Sequence, residues 1–199
     1  MGLKNEDIEF MKLPSSLESQ MKFSLAVNQR KILINENITE NTAMEVLYYL
    51  SKIKSIDEQL GTKDDIEIYV DTNGGEVFAA FSVVDMIEQM KKDGYNIITI
   101  NMSKAFSAGF LIVLSGSIRK AFSRSRYMLH DVSHATWGKT QQMREDIEET
   151  EIIRDMCFDL IQKYCNISEE QIKYWIDRKV DKFFSAKEML ELKGVDEIL

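Results

Sequence analysis

The chain has 199 residues, with 33 acidic against 25 basic side chains and a net charge of −8, a balance that argues against a general nucleic-acid surface. That length suits one domain, 1–199, with a sizeable core. No apolar run reaches the ~20 residues of a membrane span, the N-terminus has no signal-peptide core, and Cys157 and Cys165 form neither a metal nor a disulfide framework, so a cytoplasmic protein is expected.

Residues 1–14 mix charge with Ile8, Phe10, Met11 and Leu13 and read as a mobile N-terminal arm. Ser15 and Glu18 stand at capping-box spacing, which predicts a helix from Ser15 to about Asn28. Lys31-Ile32-Leu33-Ile34 reads as a short strand. Apolar residues at helical spacing (Ala43, Val46, Leu47, Leu50, Ile53) predict a helix from Thr39 to about Leu60, ended by Gly61. Ile66–Val70 alternates as a strand does. The turn Asp71-Thr72-Asn73-Gly74-Gly75 follows, then a helix from Val77 to about Lys92.

A second unit of the same kind comes next. Ile97-Ile98-Thr99-Ile100 reads as a buried strand, Ser103–Gly109 as a small, polar turn, and Phe110–Leu114 as a helix packed on all sides. Lys120-Ala121-Phe122 and Tyr127-Met128-Leu129-His130 read as two further strands. A long helical pattern runs from Lys139 to about Lys163, roughly 35 Å at 1.5 Å per residue. Ser168-Glu169-Glu170 starts another helix, and Ser185 to about Leu192 a last one, closed by Gly194. This alternation gives an α/β fold with a mostly parallel sheet, in which sites form at the C-terminal strand ends.

Ser107 stands at a strand-to-helix turn, where helix N–H groups favour a developing negative charge. It equally fits a plain helix cap. The chain has two histidines, His130 and His134. His130 follows a strand and so shares the sheet edge with Ser107, whereas His134 lies beyond it in a polar loop. Asp181 sits beside Phe183-Phe184, and the residue pattern does not separate it from Asp177 as a third member. The Gly74-Gly75 turn fits either a helix entry or a bare backbone donor.

In this order and spacing the landmarks resemble the ClpP family of serine peptidases, the proteolytic subunits of the Clp protease, over roughly residues 15–199. They are Asn73-Gly74-Gly75, Ala105-Phe106-Ser107-Ala108-Gly109, Tyr127-Met128-Leu129-His130, Asp181-Lys182-Phe183-Phe184-Ser185-Ala186 and Gly194-Val195-Asp196. The resemblance implies a crotonase-like spiral of ββα units, with the helix at about 139–163 as a projecting handle. It implies Ser107 as nucleophile, His130 as base, Asp181 as orienting acid, and the backbone N–H groups of Gly75 and Ala108 as oxyanion hole. The implied activity is endopeptidase cleavage of peptides or unfolded proteins inside a homo-oligomeric chamber of two stacked seven-membered rings. It implies no metal or bound cofactor, no nucleic acid and no membrane. ATP use falls to an AAA+ unfoldase partner, because Gly138-Lys139-Thr140 ends like a phosphate loop but Ser133 occupies its first glycine position.

The chain departs from the family pattern at several points. Thr72-Asn73 replaces Ser-Pro before the two glycines. His130-Asp131-Val132-Ser133-His134-Ala135 replaces His-Gln-Pro followed by a glycine pair. Val180 replaces an arginine, and Glu67 an aromatic of the unfoldase pocket. These mark a divergent member with altered ring contacts and unfoldase docking. Two other readings stand beside the peptidase: a non-catalytic ClpP-like subunit, and a crotonase-type acyl-CoA enzyme. A Ser107/Lys104 dyad is a further arrangement of the same turn.

Overall fold

The computed structural model describes residues 16–133, 137–178 and 181–199. The arm expected at 1–14, together with Ser15, His134 and Val180, lies outside them.

Helix α1 (Leu17–Gln29) is capped by Ser16, whose side chain accepts from the Ser19 backbone N–H. The cap is thus one residue later than the Ser15–Glu18 spacing suggested, because Ser16 is the hydroxyl that reaches the N3 donor. Arg30 ends the helix in the left-handed region at φ 57° and leads into β1 (Lys31–Ile34). Helix α2 (Glu40–Leu60) starts on a Thr39–Thr42 capping box and stops at Gly61, φ 69°. Next come β2 (Ile66–Thr72) and α3 (Val77–Lys92).

Strand β3 (Ile97–Phe106) is longer than the run of β-branched residues that announces it. Its first half, Ile98–Asn101, pairs with β4 (Ile118–Ala121), and its second half, Lys104–Phe106, pairs with β5 (Arg126–Leu129). Ser103-Lys104, the start of the stretch expected as a turn, therefore belongs to the strand, near the point where its neighbour changes. Helix α4 (Ala108–Leu114) is buried at all seven residues. Helix α5 (Thr140–Tyr164) buries only Cys157, Phe158 and Ile161, all in its C-terminal half. Helix α6 (Glu169–Asp177) follows, and then β6 (Lys182–Ser185), which the sequence pattern did not announce, α7 (Ala186–Glu191) and β7 (Glu197–Ile198).

Among the described residues seven strands form one sheet in the order β1-β2-β3-β4-β7, with β5 branching from β3 and β6 from β5. Every pairing is parallel except β5–β6. The core lies where α2, α3 and α4 cover β1–β3: Ile32, Leu50, Ile68, Val84, Ile100 and Phe110 are each at most 2% exposed. Burying one such side chain contributes about 1.5–3 kcal/mol. The effect on function is positional, because β2 and β3 run parallel, with a register shift between Val70 and Thr72, and deliver their C-terminal turns to the same edge.

Candidate active site

Ser107 occupies the corner between β3 and α4 at φ 53°, ψ −120°. A non-glycine residue in that conformation costs about 1–3 kcal/mol and persists only where its surroundings fix it. Here its N–H donates to Met128 O at 2.9 Å, and its C=O accepts from Phe110 N–H at 2.9 Å. Both bonds leave the side chain free of backbone duty, and the hydroxyl makes no cap hydrogen bond to the helix it precedes. Instead Ser107 Oγ lies 2.7 Å from His130 Nε2. Of the two roles open to Ser107, the plain cap is the one the geometry rejects.

His130 is the first residue after β5, whose Met128 also holds the Ser107 backbone. The β3–β5 pairing of Phe106 with Met128 thus brings serine and histidine together. On its other side β5 runs antiparallel to β6, with Leu129 opposite Lys182. His130 and Asp181 are the residues next beyond that last pair on the two strands. Among the described residues no hydrogen bond or ion pair reaches the exposed Asp181 carboxylate. The structure thus joins Ser107 to His130, with no hydrogen bond from the ring to Asp181. Lys104 turns elsewhere: its Nζ lies 3.6 Å from Asp71 Oδ1, which takes it out of a dyad with Ser107.

Gly75 and Ala108 both line the cleft that holds Ser107 and His130, a cavity of about 490 Å³. The Gly75 turn is fixed by a parallel bridge to Ile38: Ile38 N–H donates to Gly74 O at 2.8 Å, and Glu76 N–H donates to Ile38 O at 2.8 Å. The turn has no room for side chains. A Cβ on Gly74 would stand 2.7 Å from Phe106 O, and one on Gly75 only 2.1 Å from Ile38 O. Among the described residues no hydrogen bond uses the Gly75 N–H or the Ala108 N–H. Both N–H groups are therefore bare donors on residues that line the same cleft as Ser107.

The far wall of the cleft is apolar, formed by Leu111, Leu129, Val132 and, from α5, Cys157, Phe158 and Ile161. Burial pushes the Cys157 thiol up to about 12, so it is a neutral wall group. Sequence reading did not assign these residues to a site, although Cys157 and Ile161 stand four apart on one helix face, the spacing that marks an inward stripe. Ile38 carried no such signal. Among the described residues no group of three His, Cys, Asp or Glu is placed to hold a metal ion, and no helix is long and apolar enough to cross a membrane.

Known proteins resemble this chain in sequence and in fold. The family model for Clp protease matches residues 15–199. A Streptococcus thermophilus protein named ATP-dependent Clp protease proteolytic subunit is 32% identical over 180 residues, covering 89% of this chain and 88% of the relative. A Streptococcus pneumoniae protein of the same name is 31% identical over 181 residues, with the same shares. Among solved structures, a point mutant of ClpP1 from Listeria monocytogenes superposes with a TM-score of 0.74 at 26% identity, covering 87% of this chain and 92% of that one. Matched along nearly its whole length in sequence and in fold, the chain is a hydrolase of the Clp protease family.

Proposed function

We propose that this protein is a serine endopeptidase that cleaves peptides or unfolded proteins through Ser107, His130 and Asp181. The single observation that carries the proposal is the 2.7 Å contact between Ser107 Oγ and His130 Nε2 at a strained strand-to-helix corner. With Nε2 unprotonated, the hydroxyl donates to it, and the ring takes the proton as Oγ attacks the scissile carbonyl. The carbonyl oxygen gains charge between the N–H groups of Gly75 and Ala108. His130 then returns the proton to the leaving amine, and water resolves the acyl-enzyme. Asp181 fixes the imidazole tautomer and stabilises the imidazolium once the β5–β6 ladder closes by one more rung.

The apolar wall of the cleft suits an uncharged side chain next to the scissile bond. Assembly into stacked rings enclosing a chamber is part of the same proposal, with α5 as the handle between them. It is supported by a groove of about 660 Å³ whose lining includes Met44, Leu47, Phe78 and Ile153, and by exposed Ile147, Ile152 and Met156 on α5. The curated relatives are named ATP-dependent, and for this chain the corresponding partner is an AAA+ unfoldase. Glu67 accepts from the Tyr69 hydroxyl at 2.9 Å and lies 3.8 Å from Lys31, so that surface offers a carboxylate network to the docking unfoldase.

The test is labelling of Ser107 by a fluorophosphonate, together with cleavage of a fluorogenic peptide. Both are expected in the parent protein and absent in Ser107→Ala. A fully assembled protein that neither labels nor cleaves overturns the proposal.

A further inference from the structure

We infer that Thr72 is a positioning residue for this reaction, one side chain that sets both oxyanion donors at once. The inference rests on the peptidase reading and deepens it.

Thr72 ends β2 and is 1% exposed. Its hydroxyl is used twice. It donates to Glu36 O at 2.6 Å and accepts from Gly74 N–H at 3.1 Å. The first bond ties the end of β2 to the loop between β1 and α2. The second ties it to the turn two residues on. That same loop returns through Ile38 to hold Gly74 O and Glu76 N–H. Both backbone groups of Gly74 are therefore engaged, and the N–H left over in the turn is that of Gly75.

The other branch of the side chain reaches the second donor. A Cβ on Gly109 would meet Thr72 Cγ2 at 2.3 Å, so the methyl lies directly against the first turn of α4, next to Ala108. One branch thus sets the Gly75 turn and the other sets the Ala108 turn. The separation of the two N–H groups passes through a single buried Cβ. Only a β-branched hydroxyl residue makes both contacts. Serine keeps the bonds and loses the methyl, and valine keeps the shape and leaves the Gly74 N–H and Glu36 C=O without their partner. An oxyanion hole acts only where its donors meet the developing charge at about 2.7–3.1 Å. A displacement near 1 Å costs about 100-fold in rate.

The experiment compares Thr72→Val and Thr72→Ser with the parent, using kcat per fluorophosphonate-titrated site, KM for one peptide, and hydrogen–deuterium exchange at residues 73–76. Thr72→Val is expected to lower kcat by about 10- to 100-fold with KM within about 2-fold, and to speed exchange at Gly74. Thr72→Ser keeps both hydrogen bonds and loses only the methyl against Gly109, so it is expected to lower kcat by a smaller factor, about 3- to 10-fold, with exchange at Gly74 like the parent's. A purely structural role would lower the fraction of titratable sites and leave kcat per site alone. Parent-like kcat per site or unchanged Gly74 exchange in Thr72→Val overturns the inference, as does an equal loss of kcat in both variants. Should the parent neither label nor cleave, the peptidase reading fails on its own, and the exchange measurement still decides whether Thr72 holds the turn.

Discussion

Leu129 pairs with Lys182 as the last rung of the antiparallel β5–β6 ladder, and His130 and Asp181 are the next residue beyond it on each strand. Asp177, the acid that sequence spacing left equal to Asp181, is the last residue of α6 and is exposed. Asp181→Asn is expected to lower kcat by about 100- to 10,000-fold with little change in KM, since the proposed role of its carboxylate is to orient the imidazole. Asp177→Asn is expected to leave kcat within about 2-fold, as an exposed substitution away from the reacting atoms. Steady-state kinetics on the two variants checks the assignment, and a larger loss in Asp177→Asn would reverse it.

Gly74 is held at φ 99°, with the space for a Cβ already taken by Phe106 O at 2.7 Å and Ser107 Cβ at 2.8 Å. The nearest obstacle is backbone, so nothing flexible yields. Gly74→Ala is expected to push the Gly75 turn away from the serine and to cost about 100-fold or more in kcat per titrated site. It should also lower the melting temperature, because alanine is strained at that φ. Gly61 is the internal comparison: at φ 69° with nothing within 4 Å, Gly61→Ala carries the strain without the collision and should spare kcat.

Arg30 makes a two-pronged pair with Asp57, Nη1 to Oδ1 and Nη2 to Oδ2 at 2.9 Å each. The Asp57 side chain is 3% exposed and that of Arg30 18%. Arg30 Nε also donates to Asp65 O at 3.0 Å, so one guanidinium fastens the end of α1 to both α2 and the entry to β2. Arg30→Ala leaves a buried carboxylate with neutral hydroxyl partners alone, Thr62 at 2.9 Å and Tyr95. The expected loss is about 3 kcal/mol, read as a lower urea midpoint at fixed protein concentration. Arg30→Ala/Asp57→Ala should recover part of it, because the unpaired charge is gone.

The alternation of strands and helices was legible because β2 buries every second residue from Ile66 to Thr72, and because Thr39, Ser168 and Ser185 each cap the helix that follows. The meeting of Ser107 with His130 was legible too, since parallel strands deliver their C-terminal ends to one edge. Strand β3 outran its signal. Beyond Asn101 it leaves β4 and pairs with β5, so Ser103 and Lys104 face outward and look like a turn. Strand β6 is four residues with one buried, too short to show a period. Thr72 read as a turn residue, because nothing in a one-dimensional pattern says that its methyl will meet Gly109 from another unit. What was lost is the part of the site made by contacts between units far apart in sequence.

Arg119 and Asp196 clamp β4 to β7: Arg119 Nε donates to Oδ2 at 2.9 Å, Nη2 to Oδ1 at 2.7 Å, and the Arg119 backbone N–H to Oδ2 at 2.8 Å. Arg119 Nη1 also donates to Tyr164 O at 2.7 Å, which ties the clamp to the end of α5 that walls the cleft. Hydrogen bonding from Arg119 holds the Asp196 carboxyl below its ordinary value of 3.8. A carboxyl lowered on folding contributes stability at pH values above its unfolded pKa and loses it as pH falls through the folded one. The difference in urea midpoint between the parent and Asp196→Asn should therefore be constant above about pH 5 and shrink below about pH 4. Midpoints measured from pH 7 down to pH 3 check this. A difference that grows on acidification would mean that the carboxylate is strained in the clamp, and that the anchoring of α5 rests on Lys163 and Tyr164 against Glu88 instead.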